Sequence, residues 1–455
     1  MNQNLDRAQI PTPAQPRPFN FPLFEKFKLA NGLNVVFAAH TKLPLITMQL
    51  VIHSGAPEDP PGKEGTASLL SDLLPEGTKT KSSYEISHGF EQLGTQFSTH
   101  SDWNGSYLEM ICTKAQLTPS MDLLTDVLFN PVFENEEIER QRKRLLTQRL
   151  KLADSAARIA QEKFAETLYG NSRFSQPVSG NTAQIKNLSK AGIQEFYDTH
   201  YIANNATLII VGDLSLDEVH QICETYFVNW KTASLQRSAP KIFTQPTASQ
   251  MHLIHKNDAR QAELCMGHIG ISRDNPDYFA VILLNQILGG YFLSRLNQNL
   301  REDKGYTYGI SSRFISRKNY SGPFIVGSAI DSDNVHTAVK EIIKEIELLR
   351  EEEVSADELE QAKGYLNGIF PIAFESGSQI AAGLSNIVIF GLEKDYYRTY
   401  REKLSEVTSA EILQAAQKYL FPDKLSTVIC TDKNAAEQTL SSSFDINVSE
   451  FLPEE

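Results

Sequence analysis

The order of apolar and polar residues predicts a mixture of strands and helices along the chain. Residues 44–56 (PLITMQLVIHSGA) alternate apolar and polar side chains, which is typical of a strand. Residues 66–74 (TASLLSDLL) have the spacing of an amphipathic helix, and the Gly77-Thr78 pair ends it. A second helix (SSYEISHGFEQL) stops at Gly94 and is followed by two predicted strands, TQFSTHS and GSYLEMICT.

The second half of the chain repeats this order of elements. A strand (AELCMGHIGIS) precedes a helix (DYFAVILLNQIL), and a further helix (FLSRLNQNLRED) stops at Gly305 before two more strands, YTYGISSRF and PFIVGSAI. Both halves close with a helix, a short turn and a β-branched strand that ends on Asp213 or Asp432. The matching segments are roughly 210–220 residues apart, far more than the period of a solenoid. The pattern therefore predicts two homologous α+β domains.

The boundaries of these domains follow from composition. We expect a flexible arm over residues 1–19, an N-terminal domain over 20–230, a linker over 231–250 and a homologous C-terminal domain over 251–455. The predicted linker is rich in Ser, Thr, Pro and Gln. The arm is polar, contains four prolines and has no apolar signal-peptide core. We therefore expect a cytoplasmic location, or a periplasmic one if a signal sequence has been removed.

Charge and cysteine usage narrow the range of functions. The chain has 455 residues, with 43 Lys and Arg against 56 Asp and Glu, so its formal net charge is −13. That charge disfavours nucleic acid and anionic lipid as partners. The four cysteines form no C-x-x-C pair, so we expect buried thiols at Cys112, Cys223, Cys265 and Cys430. The longest apolar run, residues 281–293, is interrupted by Asn and Gly residues and predicts no membrane span.

Common catalytic motifs are missing from the sequence. It contains no G-x-x-x-x-G-K-[ST], no G-x-G-x-x-G after a strand and no G-x-S-x-G. The ten histidines do not assemble a zinc site, which needs at least two ligands at close spacing and a third from elsewhere. His88 lies three residues before Glu91, but Gln92 stands where a second ligand would be needed. His252 and His255 fall in a strand-like run and point to opposite faces.

The segment from residue 65 to 78 (GTASLLSDLLPEGT) resembles the zinc helix of the pitrilysin/insulinase-type (inverzincin) zinc metallopeptidases, G-x-A-H-x-x-E-H-x-L-x-x-G-T. The two zinc-binding histidines of that pattern fall on Ser68 and Asp72, and its glutamate base falls on Ser71. The third ligand, a glutamate on a later helix, falls on Gln148. Because zinc needs three protein ligands and its reaction needs a base, the resemblance implies that this chain holds no zinc and no other cofactor.

The resemblance extends over nearly the whole chain from Phe24. It includes the long segment LYGNSRFSQPVSGNTAQIKNLSKAGIQEFYDTHYIANNATLIIVGD. Its glycines, such as Gly170 and Gly180, suit turns, and its tyrosines suit packing of helix against sheet. This segment therefore indicates the family without indicating activity. The family implies that each domain is a mostly antiparallel sheet with helices packed on one side.

The second half carries a further family element. Residues 300–309 (LREDKGYTYG) resemble the R-E-x-x-G-x-x-Y element, in which Arg301 and Tyr308 would face a zinc site across a cleft. A tyrosine hydroxyl can donate to the oxyanion that forms on a peptide carbonyl, and a preorganised donor of that kind is worth ~10²–10³ in rate. Arginine offers a rigid fork of donors that can hold substrate carbonyls. The resemblance therefore implies that these two residues are catalytic.

Bacterial two-chain peptidases of this family pair an H-x-x-E-H zinc subunit with a zinc-less homologue that supplies the arginine and tyrosine. This sequence is similar to the zinc-less subunit, which implies a zinc-bearing homologous partner and peptide substrates. Such substrates could add as a strand to a sheet edge, for which residues 94–100 are the family-equivalent position. The first alternative is a structural or assembly pseudoenzyme with no peptidase role. The second alternative resembles the substrate-binding subunit of the mitochondrial processing peptidase. It is the least favoured, because that subunit type has a long glycine-rich loop and only Gly289-Gly290 stand at the corresponding place here.

Overall fold

The computed structural model describes residues 18–235, 243–257 and 259–451. The strands of this part of the chain form two six-stranded sheets. The first sheet contains β1 Glu25–Lys28, β2 Asn34–Ala39, β3 Leu45–Ile52, β4 Gln96–Ser101, β5 Ser106–Thr113 and β6 Ala206–Gly212. The second sheet contains β7 Gln250–His255, β8 Gln261–Ile269, β9 Ile310–Phe314, β10 Pro323–Asp331, β11 Ser426–Thr431 and β12 Ile446–Glu450.

The helices lie in groups between the strands of each half. Those of the first half are α1 Thr66–Leu73, α2 Ser83–Gln92, α3 Leu117–Phe129, α4 Asn135–Ala153, α5 Ala156–Tyr169, α6 Thr182–Asn187, α7 Lys190–His200 and α8 Leu216–Tyr226. Those of the second half are α9 Tyr278–Asn285, α10 Val335–Glu351, α11 Ala356–Ile369, α12 Gly377–Phe390, α13 Tyr396–Glu406, α14 Ser409–Tyr419 and α15 Lys433–Ser441. Two π-helical segments, Gln286–Gly290 and Asn297–Asp303, follow α9.

Both sheets are mostly antiparallel, and their strand orders correspond. The first runs β1-β2-β6-β3-β5-β4 and is parallel only between β2 and β6. The second runs β12-β7-β11-β8-β10-β9 and is parallel at β12/β7 and β7/β11. The antiparallel series β6-β3-β5-β4 thus matches β11-β8-β10-β9, as expected for a duplicated unit. The predicted α+β class with two homologous sheets is confirmed.

Each half packs its own helices on one face of its sheet. In the first half, Leu70 of α1 and Met121 of α3 join Leu108 of β5 in one fully buried cluster. In the second half, Leu284 of α9 and Ile342 of α10 pack in the same way. The four cysteines are free and buried, as predicted, and burial raises the pKa of each thiol, for example to about 12 for Cys223 and Cys265.

The other face of each sheet is covered by a helix from the opposite half. Helix α12 lies on β3 and β6, where Ile380 and Leu384 contact a cluster that includes Val51 and Ile209. Helix α5 lies on β8 and β11 in the same manner. This exchange of helices between the halves leaves no signal in the residue pattern. It explains why β6 is buried along its whole length, since strands covered on both faces are apolar throughout.

The N-terminal segment also connects the halves. Residues 1–17, most of the predicted arm, lie outside the described residues, but Phe19 packs edge-on against Phe370 with ring centroids 5.6 Å apart. Phe21 packs against Phe374 at 5.0 Å. Of the predicted linker, residues 236–242 lie outside the described residues, and Phe243 packs against Tyr169 with ring centroids 5.0 Å apart.

No helix in the described ranges is both long and apolar enough to cross a bilayer.

Candidate functional site

Helix α1, which carries three of the four predicted zinc-site positions, is fixed at its start by a buried ion pair. The Asp59 carboxylate accepts hydrogen bonds from the backbone N–H groups of Gly65 at 2.7 Å and Ala67 at 2.8 Å. Arg173 donates to the same carboxylate at 2.9 Å. Gly65 has φ of 101°, and a side chain there would collide with the carbonyl oxygen of Ser179. The start of α1 therefore has one defined position.

The side chains at the predicted zinc positions are engaged in other contacts or are poor ligands. Ser68 is half-buried and faces a cleft between the two halves. Ser71 is buried, and its hydroxyl donates to the carbonyl of Ala67 at 3.0 Å. Asp72 is bound by the guanidinium of Arg144 at 2.9 Å. A hydroxyl that is already donating to its own helix cannot replace the carboxylate base of the family.

Helix α4 contributes Arg144 and Gln148 to the predicted zinc site. Arg144 lies on α4 one turn before Gln148, which is exposed. Burial raises the pKa of Asp72 above its usual value, and Arg144 opposes that rise. The family's third ligand position is thus occupied by the neutral amide of Gln148. Among the four predicted positions only Asp72 has a carboxylate, and the Arg144 guanidinium lies next to it. A Zn²⁺ ion does not fit these residues, and the described residues contain no other group of three or more His, Cys, Asp or Glu able to hold a metal.

A cleft of about 540 Å³ separates the two halves beside Ser68. One wall is formed by α5 and the segment that follows it, and the opposite wall by the outward-facing residues of β8, β9 and β10. Glu263 and Arg313 contribute charge to the second wall. Burial raises the pKa of the Glu263 carboxyl above its usual value. Neither residue is predictable from the sequence, because the place of both in a cleft depends on the covering of the sheet by α5.

Tyr308 stands at the start of β9 on a buried anchor. The neighbouring Thr307 is buried, and its hydroxyl donates to the carbonyl of Ala329 at 2.7 Å and accepts from the N–H of Gly309 at 3.1 Å. The first residue of β9, Ile310, exchanges two hydrogen bonds with the side-chain amide of Asn297. Tyr308 itself is 93% exposed. Its ring is therefore presented to solvent by a rigid backbone.

Arg301 lies in the second π-helical segment, close to Tyr308 along the chain. The turn between them folds back, because Gly305 N–H donates to Arg301 O at 3.2 Å and Tyr306 N–H donates to Leu300 O at 2.8 Å. Gly305 has φ of 67°, the left-handed conformation that ends a helix and favours glycine. Arg301 Nε donates to Glu302 Oε1 at 2.9 Å, and its Cζ lies 3.3 Å from the ring centroid of Phe292.

The structure does not bring the two groups of predicted residues into one site. Neither Arg301 nor Tyr308 lines the cleft beside Ser68, although Ser311 and Arg313 of the strand after Tyr308 do. The predicted sheet edge is present: β4 is the last strand of the first sheet, and Thr99 donates to the carbonyl of Ser71 at 2.7 Å. Tyr308 is thus exposed to solvent and the Arg301 side chain is largely covered, and both lie outside this cleft.

The fold is a duplicated α+β arrangement, and Ser68, Ser71, Asp72 and Gln148 occupy the positions where the resemblance predicts zinc ligands and a base. Residues 35–182 match the model for insulinase (peptidase family M16), and residues 187–366 match the model for the peptidase M16 inactive domain. The chain therefore belongs to peptidase family M16, and the resemblance noted from its motifs is confirmed.

Individual relatives agree with this assignment. The chain is 24% identical over 408 residues to an uncharacterized zinc protease of Rickettsia bellii, covering 89% of this chain and 97% of that protein. It is 22% identical over 397 residues to the uncharacterized zinc protease YmxG of Bacillus subtilis, covering 86% and 93%. A crystal structure of a peptidase M16 inactive domain from Pseudomonas fluorescens aligns with a TM-score of 0.85 at 26% identity, covering 91% of this chain and 99% of that one.

Proposed function

We propose that this chain is the zinc-less subunit of a two-chain metallopeptidase and completes the active site of a homologous H-x-x-E-H subunit. The observation that carries the proposal is the contrast between its two halves. The metal positions of the first half are closed by the Asp72–Arg144 ion pair, whereas the second half presents Tyr308 at 93% exposure on a buried anchor. An exposed aromatic ring on rigid backbone is a feature that binding or catalysis uses.

Each of the two residues has a distinct role in this proposal. The hydroxyl of Tyr308 donates a hydrogen bond to the carbonyl oxygen of the scissile peptide as that oxygen gains negative charge. The guanidinium of Arg301 holds a second carbonyl of the same peptide and thereby fixes its register. Zinc, when bound by the partner, supplies the activation of water, and this chain contributes only donors.

Relatives described as zinc proteases and a structural neighbour described as an inactive domain are in line with a family that has both active and inactive members. We further propose that the substrates are short or unfolded peptides, because an extended chain can pair with a sheet edge. The edge strand β4, next to α1, is the position in this subunit where such pairing would occur.

The test is to purify the chain with an H-x-x-E-H homologue from the same genome and measure hydrolysis of short peptides. Tyr308→Phe keeps the ring and deletes the donor, so we expect kcat to fall by ~10²-fold. Arg301→Ala removes a group that binds the peptide before and during reaction, so KM should rise as kcat falls. Neither change should alter the zinc content of the complex, which serves as the control.

Full activity in both variants of an intact complex would overturn the proposal. The chain would then be a structural or assembly subunit, and its second half would enclose the partner's site without contributing a residue to substrate binding or catalysis. Failure of the two proteins to associate at micromolar concentration would also contradict it.

A further inference from the structure

The guanidinium of Arg301 is held by two neighbours before any substrate is present. Its Cζ lies 3.3 Å from the ring centroid of Phe292. Its Nε and Nη2 both donate to Glu302 Oε1, at 2.9 and 2.5 Å. As a result the Arg301 side chain is only 13% exposed, although it lies on the protein surface. Arginine side chains at surfaces are ordinarily mobile, so this restraint needs a reason.

The Phe292 ring is mostly exposed to solvent, and it contacts the guanidinium of Arg301. It lies in the short segment between the two π-helices and remains 66% exposed, so burial in the core does not explain its position. Its backbone is fixed from the preceding residue: the carbonyl of Tyr291 accepts from Ser294 N–H at 3.1 Å, and the Tyr291 ring packs on Tyr365 at 5.3 Å. The backbone next to Phe292 is therefore held in place, and the guanidinium of Arg301 lies against the Phe292 ring.

The contacts divide the guanidinium into an engaged and a free edge. Glu302 takes Nε and Nη2, whereas Nη1 has no hydrogen-bond partner among the residues that the structure describes. The two N–H groups of Nη1 can donate hydrogen bonds to the carbonyl oxygen of a peptide. Since Phe292 fixes the plane of the guanidinium and Glu302 fixes its rotation, Nη1 is aimed in one direction.

We propose that Phe292 is a positioning residue that preorganises Arg301 for a substrate carbonyl. This inference rests on the proposed function, because it presumes that Arg301 binds the peptide. Holding the side chain before binding avoids the entropic penalty of ordering it at the moment of binding. The ring thus acts on substrate affinity through Arg301 and takes no part in the reaction.

The first experiment needs no partner. In the isolated full chain, the rate at which phenylglyoxal modifies Arg301 is measured by peptide mapping, with the other arginines as internal references. We expect Phe292→Ala to raise that rate by about 2- to 5-fold, the factor that corresponds to an exposed cation–π contact. Phe292→Tyr should restore the slow rate. Leu293→Ala is the matched control, because Leu293 is similarly exposed, at 61%, and follows directly in the chain.

The second experiment uses the two-chain complex. Phe292→Ala should raise KM by about 2- to 5-fold with a smaller effect on kcat, Phe292→Tyr should be close to wild type, and the double variant with Arg301→Ala should add nothing to Arg301→Ala alone. If Arg301→Ala reduces activity but Phe292→Ala changes neither KM nor the modification rate, the positioning role is wrong and the proposed function stands. If Arg301→Ala has no effect, the proposed function itself fails.

Discussion

At the scale of single residues, the contact between Asp72 and Arg144 decides the metal chemistry of this chain. Sequence comparison predicts only that three ligands and a base are replaced. The structure adds that the remaining carboxylate is paired with a cation at 2.9 Å. Any Zn²⁺ ion at this place would have to share the site with a guanidinium, and at a separation of about 4 Å the two cations repel each other by at least about 1 kcal/mol even in water.

This pairing leads to a prediction about restoring zinc. The wild-type chain should contain no stoichiometric zinc. The variant Ser68→His, Ser71→Glu, Asp72→His and Gln148→Glu should bind zinc, and adding Arg144→Gln should tighten that binding by about fivefold because it removes the repelling charge. Competition with a chromophoric chelator measures the affinity.

Arg140→Gln is the matched control for that experiment. Arg140 lies one turn earlier on the same helix and pairs with Glu76 and Glu137 instead of Asp72. Adding Arg140→Gln to the fourfold variant should therefore leave its zinc affinity unchanged. One tightly bound zinc per wild-type chain, or no binding by the fourfold variant, would show that the α1–α4 surface is not the degenerate metal site.

At the scale of elements, Gly289 determines how the π-helical region meets β9. A Cβ atom at Gly289 would lie 2.7 Å from the backbone nitrogen of Ser312, closer than real Cβ atoms approach. Gly289 is therefore explained by close packing of a helix end on a strand. That packing fixes the segment that carries Phe292 and Arg301.

We expect Gly289→Ala to push this segment away from β9 and to lower the free energy of unfolding by about 1–3 kcal/mol, as overpacked core sites do. It should also reduce hydrolysis by the complex, since Arg301 moves with the segment. Chemical denaturation followed by circular dichroism measures the first effect. Gly364→Ala on α11 is the control: a Cβ there meets nothing within 4 Å, so the change should be neutral or slightly stabilising. Equal stability of Gly289→Ala and wild type would refute the packing argument.

At the scale of the whole molecule, the exchange of α5 and α12 makes the two homologous halves depend on each other. Without α12, the outer face of the first sheet would expose Val36, Val51 and Ile209, all of which are now nearly or fully buried. Without α5, the second sheet would expose Ile254, Cys265 and Val428. Exposed apolar faces of this size promote aggregation.

We therefore propose the boundaries 20–230 and 251–455 as units of duplication and not as units of folding. Residues 1–230 and residues 251–455, expressed separately, should be insoluble or should bind a hydrophobic dye, whereas co-expression should yield a soluble complex. Size-exclusion chromatography distinguishes these outcomes. A monomeric, cooperatively unfolding fragment from either half alone would contradict this expectation.

The residue patterns of the sequence predicted individual strands and helices, because these elements depend on side chains that are close together along the chain. Alternation in residues 44–56 predicted β3, the apolar spacing of residues 66–74 predicted α1, and the glycine at 305 marked the end of a helical segment. The recurrence of the same order of elements predicted two homologous domains. The prediction that Ser68, Ser71, Asp72 and Gln148 replace zinc ligands and a base also depends on residue type at fixed spacing, and it stays a prediction.

Only the tertiary structure decided the long-range contacts. The pairing of Asp72 with Arg144 joins residues on different helices, and the contact of Phe292 with Arg301 depends on a turn between two π-helical segments. The exchange of α5 and α12 depends on how two similar sheets face each other. The structure shows that β6 is buried along its whole length. The periodicity of the sequence does not show which helix covers its second face, because any apolar helix of suitable length satisfies the same pattern.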